Sequence, residues 1–196
     1  MKKQLLLTLM CNDQPGLVEK IAATVHSHNG NWLESRLSRL SGKFVGIVQI
    51  ETDDVNEKKL VKELKELENF GFLITLDTID GSSNEDGVNL KDRSTNQPQN
   101  TNPKQKASED PTSYAFSIVG NDRQGIIKEV SQAFSVRRIN LENLTSQCTS
   151  TPHIGTPLFE ASGKITVPFL TDIDELSKHL DRISDELAID IQLEEL

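Results

Sequence analysis

Two short segments of the sequence carry the groups best suited to hold a small zwitterion. Asn12-Asp13-Gln14-Pro15-Gly16 is repeated as Asn121-Asp122-Arg123-Gln124-Gly125, and the same constant spacing carries Asn31 onto Asn140. We call residues related by this spacing counterparts. In each segment the glycine lacks a Cβ atom, so a ligand can approach the backbone, and free amides at a helix N-terminus attract a carboxylate. Asparagine carbonyl oxygens can accept hydrogen bonds from an ammonium, so the pair of segments favours an α-amino acid as ligand.

The candidate ligand-binding residues come from both segments and from one asparagine beyond each following helix. They are Asn12, Asp13, Pro15, Gly16, Asn31, Asn121, Asp122, Gly125 and Asn140. Taken singly, each has a simpler explanation, because glycine is favoured in tight turns. Asp13 and Asp122 are likewise expected to be helix N-caps, where a carboxylate satisfies free amides. Only the two turns considered together favour a ligand site.

Other reactive side chains do not form a recognisable catalytic or metal site. Cys148, Thr151 and His153 lie in a Pro- and Gly-containing loop that defines no geometry and offers no third, orienting group. His26 and His28 are two apart on a predicted helix, so they lie on different faces and are poor co-ligands. The sequence has no P-loop, G-x-S-x-G, H-E-x-x-H or C-x-x-C motif. We expect no enzyme activity, no cofactor and no metal.

The elements that would position the two turns follow in the same order in both copies. Each copy has a short apolar run, the turn, an amphipathic helix, a hairpin, a second amphipathic helix and a last strand. Ser41-Gly42 is typical of a tight hairpin turn, and Gly30 and Gly71 of helix ends. The predicted strands are 5–10, 32–40, 44–52 and 72–79, then 114–119, 141–149, 159–168 and 188–193. This order predicts an α+β protein of two ferredoxin-like βαββαβ repeats, with antiparallel sheets and helices on one face.

A polar stretch divides the two copies. Between residues 81 and 111 only Val88, Leu90 and Ala107 are apolar. Such a segment buries too little apolar surface to offset its ordering entropy, which predicts a mobile linker rather than an ordered excursion on the surface. The predicted domains are 1–80 and 113–196, joined by a linker at 81–112. The second copy also carries an insertion of roughly eight residues at 150–158.

Composition and charge narrow the classes of partner. The net charge is −9 and the pI is about 5.0, so the chain lacks the basic footprint of a protein that binds DNA by itself. No apolar run approaches the roughly 20 residues that span a bilayer. The scarcity of cysteine, with two in the chain, suits a reducing compartment. We expect a cytosolic protein, without membrane or direct nucleic-acid contact, that forms a homodimer.

The turn and the doubled topology together resemble the ACT domain, a small-molecule-sensing module of amino-acid metabolism. Asn31-Trp32-Leu33-Glu34-Ser35-Arg36-Leu37 and Gly155-Thr156-Pro157-Leu158-Phe159 resemble segments of the glycine cleavage system transcriptional repressor family. The resemblance implies a ligand at the seam between ACT units. Two features depart from the pattern: Gln124 replaces the proline found at Pro15, and the linker is longer than such repressors carry.

Three hypotheses follow. In the first, the chain is a regulatory sensor: a small amino acid, glycine or serine first, binds at the seam and alters contact with a partner protein such as a transcription regulator. In the second, the repeats form a ligand-independent dimerisation or scaffold module. In the third, the chain is an enzyme or the detached regulatory part of one, but it has no room for a catalytic domain after two repeats.

Overall fold

The computed structural model describes residues 2–79, 111–149 and 157–196. The predicted linker at 81–112 lies outside these residues, apart from Pro111 and Thr112. The predicted insertion at 150–158 lies outside them as well, apart from Pro157 and Leu158. Thr151 and His153 therefore belong to the part of the chain that is not described.

Both repeats have the predicted order of elements. The first consists of β1 (Lys2–Asn12), α1 (Leu17–Ser27), β2 (Asn31–Leu40), β3 (Lys43–Asp53), α2 (Asp54–Glu66) with a short 3-10 turn at Leu67–Phe70, and β4 (Leu73–Ile79). The second consists of β5 (Thr112–Asn121), α3 (Ile126–Ser135), β6 (Asn140–Thr149), β7 (Leu158–Val167), α4 (Ile173–Leu187) and β8 (Ile189–Glu195). The prediction of two ferredoxin-like βαββαβ repeats is confirmed.

Local sequence explains the elements that shape the first repeat. In β1, Leu5, Leu7 and Leu9 alternate with more exposed residues and are at most 2% exposed, as expected for a strand with one buried face. Between β2 and β3, Ser41 and Gly42 have φ angles of 50° and 74°. Positive φ at both positions is the requirement of the type I′ hairpin turn, so the predicted turn is confirmed.

The two repeats share one antiparallel sheet of eight strands, in the order β4-β1-β3-β2-β6-β7-β5-β8. They meet where β2 pairs with β6, from Ser35 opposite Ser146 to Ser38 opposite Asn143. Arg36 lies opposite Thr145, which is also its counterpart in the sequence repeat. An approximate twofold axis therefore passes through this pair and relates the two repeats.

We call the boundary along β2 and β6, together with the helices α1 and α3 that pack against each other beneath it, the seam. Leu37 and Leu144 face each other there and are 3% and 1% exposed. Beside them, the Ser35 and Ser146 hydroxyl oxygens lie 2.8 Å apart, and the Trp32 Nε1 donates to Ser146 Oγ at 3.2 Å. The seam thus combines an apolar contact with a buried, hydrogen-bonded polar cluster.

Replacing Ser146 tests whether this cluster holds the repeats together. We expect Ser146→Ala to lower the free energy of unfolding by about 1–3 kcal/mol, because it leaves the Trp32 N–H and the Ser35 hydroxyl buried without their partner. Urea unfolding followed by the fluorescence of Trp32, the chain's single tryptophan, measures the change. The control is Ser162→Ala on exposed surface of β7, which should change stability by less than about 0.5 kcal/mol. Equal effects of the two substitutions would contradict the packing described here.

Candidate functional site

The two turns singled out in the sequence both lie at the seam, where each faces a helix of the other repeat. Gly16 and Gly125 have φ angles of 87° and 96° and immediately precede α1 and α3. A Cβ atom at Gly16 would lie 2.9 Å from the Ser135 Oγ of α3, and one at Gly125 would lie 3.2 Å from the His26 Cε1 of α1. The space left by each missing side chain therefore admits the neighbouring helix.

The prediction that Asp13 and Asp122 cap these helices was wrong. Each helix has a glycine at its N-cap position and no side-chain cap bond. The Asp122 Oδ2 instead accepts a hydrogen bond of 2.7 Å from the Asn31 Nδ2, and the Asp13 Oδ2 accepts one of 2.9 Å from the Asn140 Nδ2. Each aspartate comes well before the helix start, so its carboxylate reaches across the seam and gains a charge-assisted bond there.

These crossed Asn–Asp pairs leave oxygen atoms without partners. The Asp13 Oδ1, the Asp122 Oδ1 and the Asn31 Oδ1 are buried, and none has a hydrogen-bond partner within the described ranges. The Asn31 residue is only 8% exposed. A buried acceptor without a donor costs about 1–3 kcal/mol, so a ligand that brought N–H donors to this place would gain that energy. An ammonium supplies three donors.

A cleft of about 530 Å³ opens beside the second turn. We call it the Asp122 cleft; Asn31, Leu33, Asp122, Arg123 and Cys148 are among its lining residues. Its other charged lining residues are Lys2, Glu34 and Glu51, so acidic groups outnumber basic ones by three to two. Lys2 forms an ion pair with Glu51, and this contact raises the pKa of its ammonium.

A smaller cavity lies between the first turn and α3. It has a volume of about 10 Å³ and is lined by Gly16, Ser135 and Asn140, among others, but not by Asp13 or Arg39. That is about the room needed for one water molecule. Arg39 lies nearby: its Nη1 is 3.6 Å from the Asp13 Oδ2, and its Nη2 is 3.3 Å from the Glu142 Oε1 of the other repeat.

The remaining predicted site residues contribute less to the seam. The Asn12 Oδ1 accepts a hydrogen bond of 2.6 Å from the Lys43 Nζ, which ties it to the hairpin of its own repeat. Pro15 and Asn121 are exposed. The Gln124 Nε2, which we did not predict, donates to the Asn29 carbonyl oxygen at 2.8 Å across the seam. Its counterpart Pro15 has no side-chain amide and cannot make this contact. The replacement of proline by Gln124 is the sequence signal that could have indicated it.

Both cysteine thiols are poorly suited to act as nucleophiles. Burial, and then the charge of Asp122, raises the pKa of Cys148 to about 11. Burial, and then the charge of Asp13, raises the pKa of Cys11 to about 11 as well. Since the thiolate is the reactive form, neither side chain is activated at neutral pH.

The described residues offer neither a metal site nor a membrane-spanning helix. Residues 2–79, 111–149 and 157–196 hold no group of three His, Cys, Asp or Glu side chains placed to bind a metal ion. His28 instead lies 3.3 Å from the Glu63 carboxylate. The helices in these ranges are all too short or too polar to span a membrane.

The first repeat is similar to a known domain family. Residues 3–76 match the family model of the ACT domain. None of the curated proteins matches the chain.

Three solved structures are similar to the whole fold. An aspartate kinase from Synechocystis is 14% identical with a TM-score of 0.51, over 92% of this chain and 26% of the kinase. An unknown protein from Galdieria sulphuraria is 21% identical over 100% of this chain and 99% of that one, with a TM-score of 0.44. A candidate glycine cleavage system transcriptional repressor is 15% identical over 100% of this chain and 98% of that one, with a TM-score of 0.39. At 14% identity, the likeness to the kinase concerns the fold alone.

The position of Cys148 beside the Asp122 carboxylate can be tested by alkylation. In a Cys11→Ala background, we expect the rate of reaction with iodoacetamide to rise with pH toward a midpoint near 11; at pH 8 only about a thousandth of the thiol is ionised. Asp122→Asn should lower this midpoint, because it removes a negative charge that disfavours the thiolate.

The matched control is Asp77→Asn, an exposed position on β4, which should leave the midpoint unchanged. A midpoint near the ordinary value of 9.0 in the background protein, with no response to Asp122→Asn, would show that the thiol does not lie beside this carboxylate.

Proposed function

Because the first of its two ferredoxin-like repeats matches the ACT domain, we propose that the chain is a non-enzymatic regulator of the cytosol that binds a small amino acid at its seam. The crossed Asn–Asp pairs carry this proposal. Each pair joins acceptor groups from both repeats, and the Asn31–Asp122 pair has two buried oxygens, Asn31 Oδ1 and Asp122 Oδ1, without donors among the described residues. An amino acid's ammonium is the complement of such a site.

The carboxylate of the amino acid also has positively charged groups to face in the same region. Arg123 lines the Asp122 cleft and forms no ion pair within the described residues. The adjacent turn leads into α3, whose first amides carry partial positive charge. A zwitterion can therefore be held with its ammonium at the Asp122 carboxylate and its carboxylate toward Arg123. Glycine and serine are our first choices, because the sequence resembles repressors of glycine cleavage.

We propose that the bound amino acid acts through protein contact. A chain with a net charge of −9 is repelled by the DNA backbone, so it would reach transcription through a protein regulator of glycine metabolism. A ligand at the seam touches both repeats at once and so favours one arrangement of them over others. A homodimer of the chain would present this arrangement twice to a partner.

One observation favours the alternative of a ligand-independent dimerisation module. Met10, Ile47 and Leu73 are 40%, 43% and 63% exposed. The register of β1, β3 and β4 places all three on the sheet face opposite the helices. An exposed apolar group of this kind suits contact with another protein surface whether or not a ligand is bound.

Thermal denaturation with each of the twenty amino acids separates the two functions. A ligand present at 100 times its dissociation constant should add about 2.7 kcal/mol to the free energy of unfolding. Asp122→Asn should remove most of this gain, because it abolishes the negative charge that faces the ammonium, whereas Asp77→Asn on exposed β4 should keep it. A dimer in light scattering that no amino acid stabilises would overturn the sensing function and favour the dimerisation module.

A further inference from the structure

The two turns are related by the twofold axis, yet their surroundings differ at two positions. Arg39 and Cys148 are counterparts in the sequence repeat, and so are Leu33 and Glu142. At the first turn, the Arg39 guanidinium lies between the Asp13 and Glu142 carboxylates, at 3.6 Å and 3.3 Å. At the second turn the same two places are taken by the uncharged side chains of Cys148 and Leu33.

This pair of differences changes the charge that lies beside each aspartate. The long Arg39 side chain and its Glu142 partner occupy the seam beside Asp13. The shorter Cys148 and Leu33 side chains both line the cleft of about 530 Å³ beside Asp122. The first aspartate therefore has a cation supplied by the chain itself, whereas the second lines an open cleft and makes no ion pair within the described residues.

We infer that each chain binds one amino acid, in the Asp122 cleft, with the ligand's ammonium in the place that the Arg39 guanidinium occupies at the first turn. This inference rests on the proposed function and specifies its site and stoichiometry. Asn31, which is 8% exposed and lines the cleft, contributes its unpartnered Oδ1 as a second acceptor. Arg39 is the residue that keeps the first turn closed to ligand.

The nearest competing cation in the cleft is Lys2. Its ammonium is bonded to the Glu51 carboxylate, and among the described residues it makes no ion pair with Asp122. Asp122 contributes only the smallest of the effects that raise the pKa of Lys2. The Asp122 carboxylate is therefore free of competition from Lys2 and can pair with a cation brought by the ligand.

Exchanging the two counterparts tests the inference. Calorimetric titration with glycine and with L-serine measures the number of ligands bound per chain. We expect one for the unaltered chain and two for Arg39→Cys. In Cys148→Arg the guanidinium would take the place of the ligand's ammonium, so binding should weaken at least about tenfold, the effect of losing one charge-assisted contact. The control Ser162→Arg adds the same positive charge on exposed surface of β7, outside the cleft, and should retain the site.

A second set of variants tests the inference even if the Cys148→Arg variant fails to fold. Asp122→Asn should abolish the single site of the unaltered chain, and adding Asp13→Asn to Arg39→Cys should return two sites to one. Two sites in the unaltered chain, one site in Arg39→Cys, or undiminished binding in Cys148→Arg would overturn the inference while leaving the proposed function standing. Binding of neither probe to the unaltered chain or to any variant would overturn both.

Discussion

The pairing of β2 with β6 is the constraint on which the rest of the molecule depends. Its register, with Arg36 opposite Thr145, makes one sheet of two repeats and sets the axis that relates them. Because side chains alternate between the faces of a strand, a slip of one residue would turn Leu37 and Leu144 away from the core. The same register brings Asn31 to Asp122 and Asn140 to Asp13, so the strand pairing that unites the repeats also assembles the candidate site.

The seam is more polar than stability alone requires. Buried polar groups in proteins are nearly always paired, and each exception calls for an explanation. Here Asp13, Asp122 and Asn31 each keep a buried oxygen without a donor. An apolar seam would avoid that cost, whereas a seam that receives an ammonium needs those oxygens. The approximate symmetry is broken by two local differences, Arg39 against Cys148 and Leu33 against Glu142, which place a guanidinium beside Asp13 but not beside Asp122.

The sequence predicts the fold well because its signals are local and occur twice. The repeated turn segments, the amphipathic helices and the Ser41-Gly42 turn each act within one repeat. The site was predicted less completely because its contacts cross the seam. Asp13 has the residue type of an N-cap but lies three residues before the N-cap position, and its partner Asn140 comes from the other repeat. The Arg39–Glu142 pair joins residues 103 positions apart, and only the antiparallel pairing of β2 with β6 brings them together.

A double-mutant cycle on Asn31 and Asp122 tests the central claim most directly, because this pair exists only if the repeats meet as described. Asn31→Ala, Asp122→Ala and the double variant are compared by their free energies of unfolding in urea. The bond of 2.7 Å between the buried amide and the carboxylate predicts a coupling energy of about 1–3 kcal/mol. Effects that add to within about 0.5 kcal/mol would mean that the two side chains do not interact, and would contradict both the seam and the site built on it.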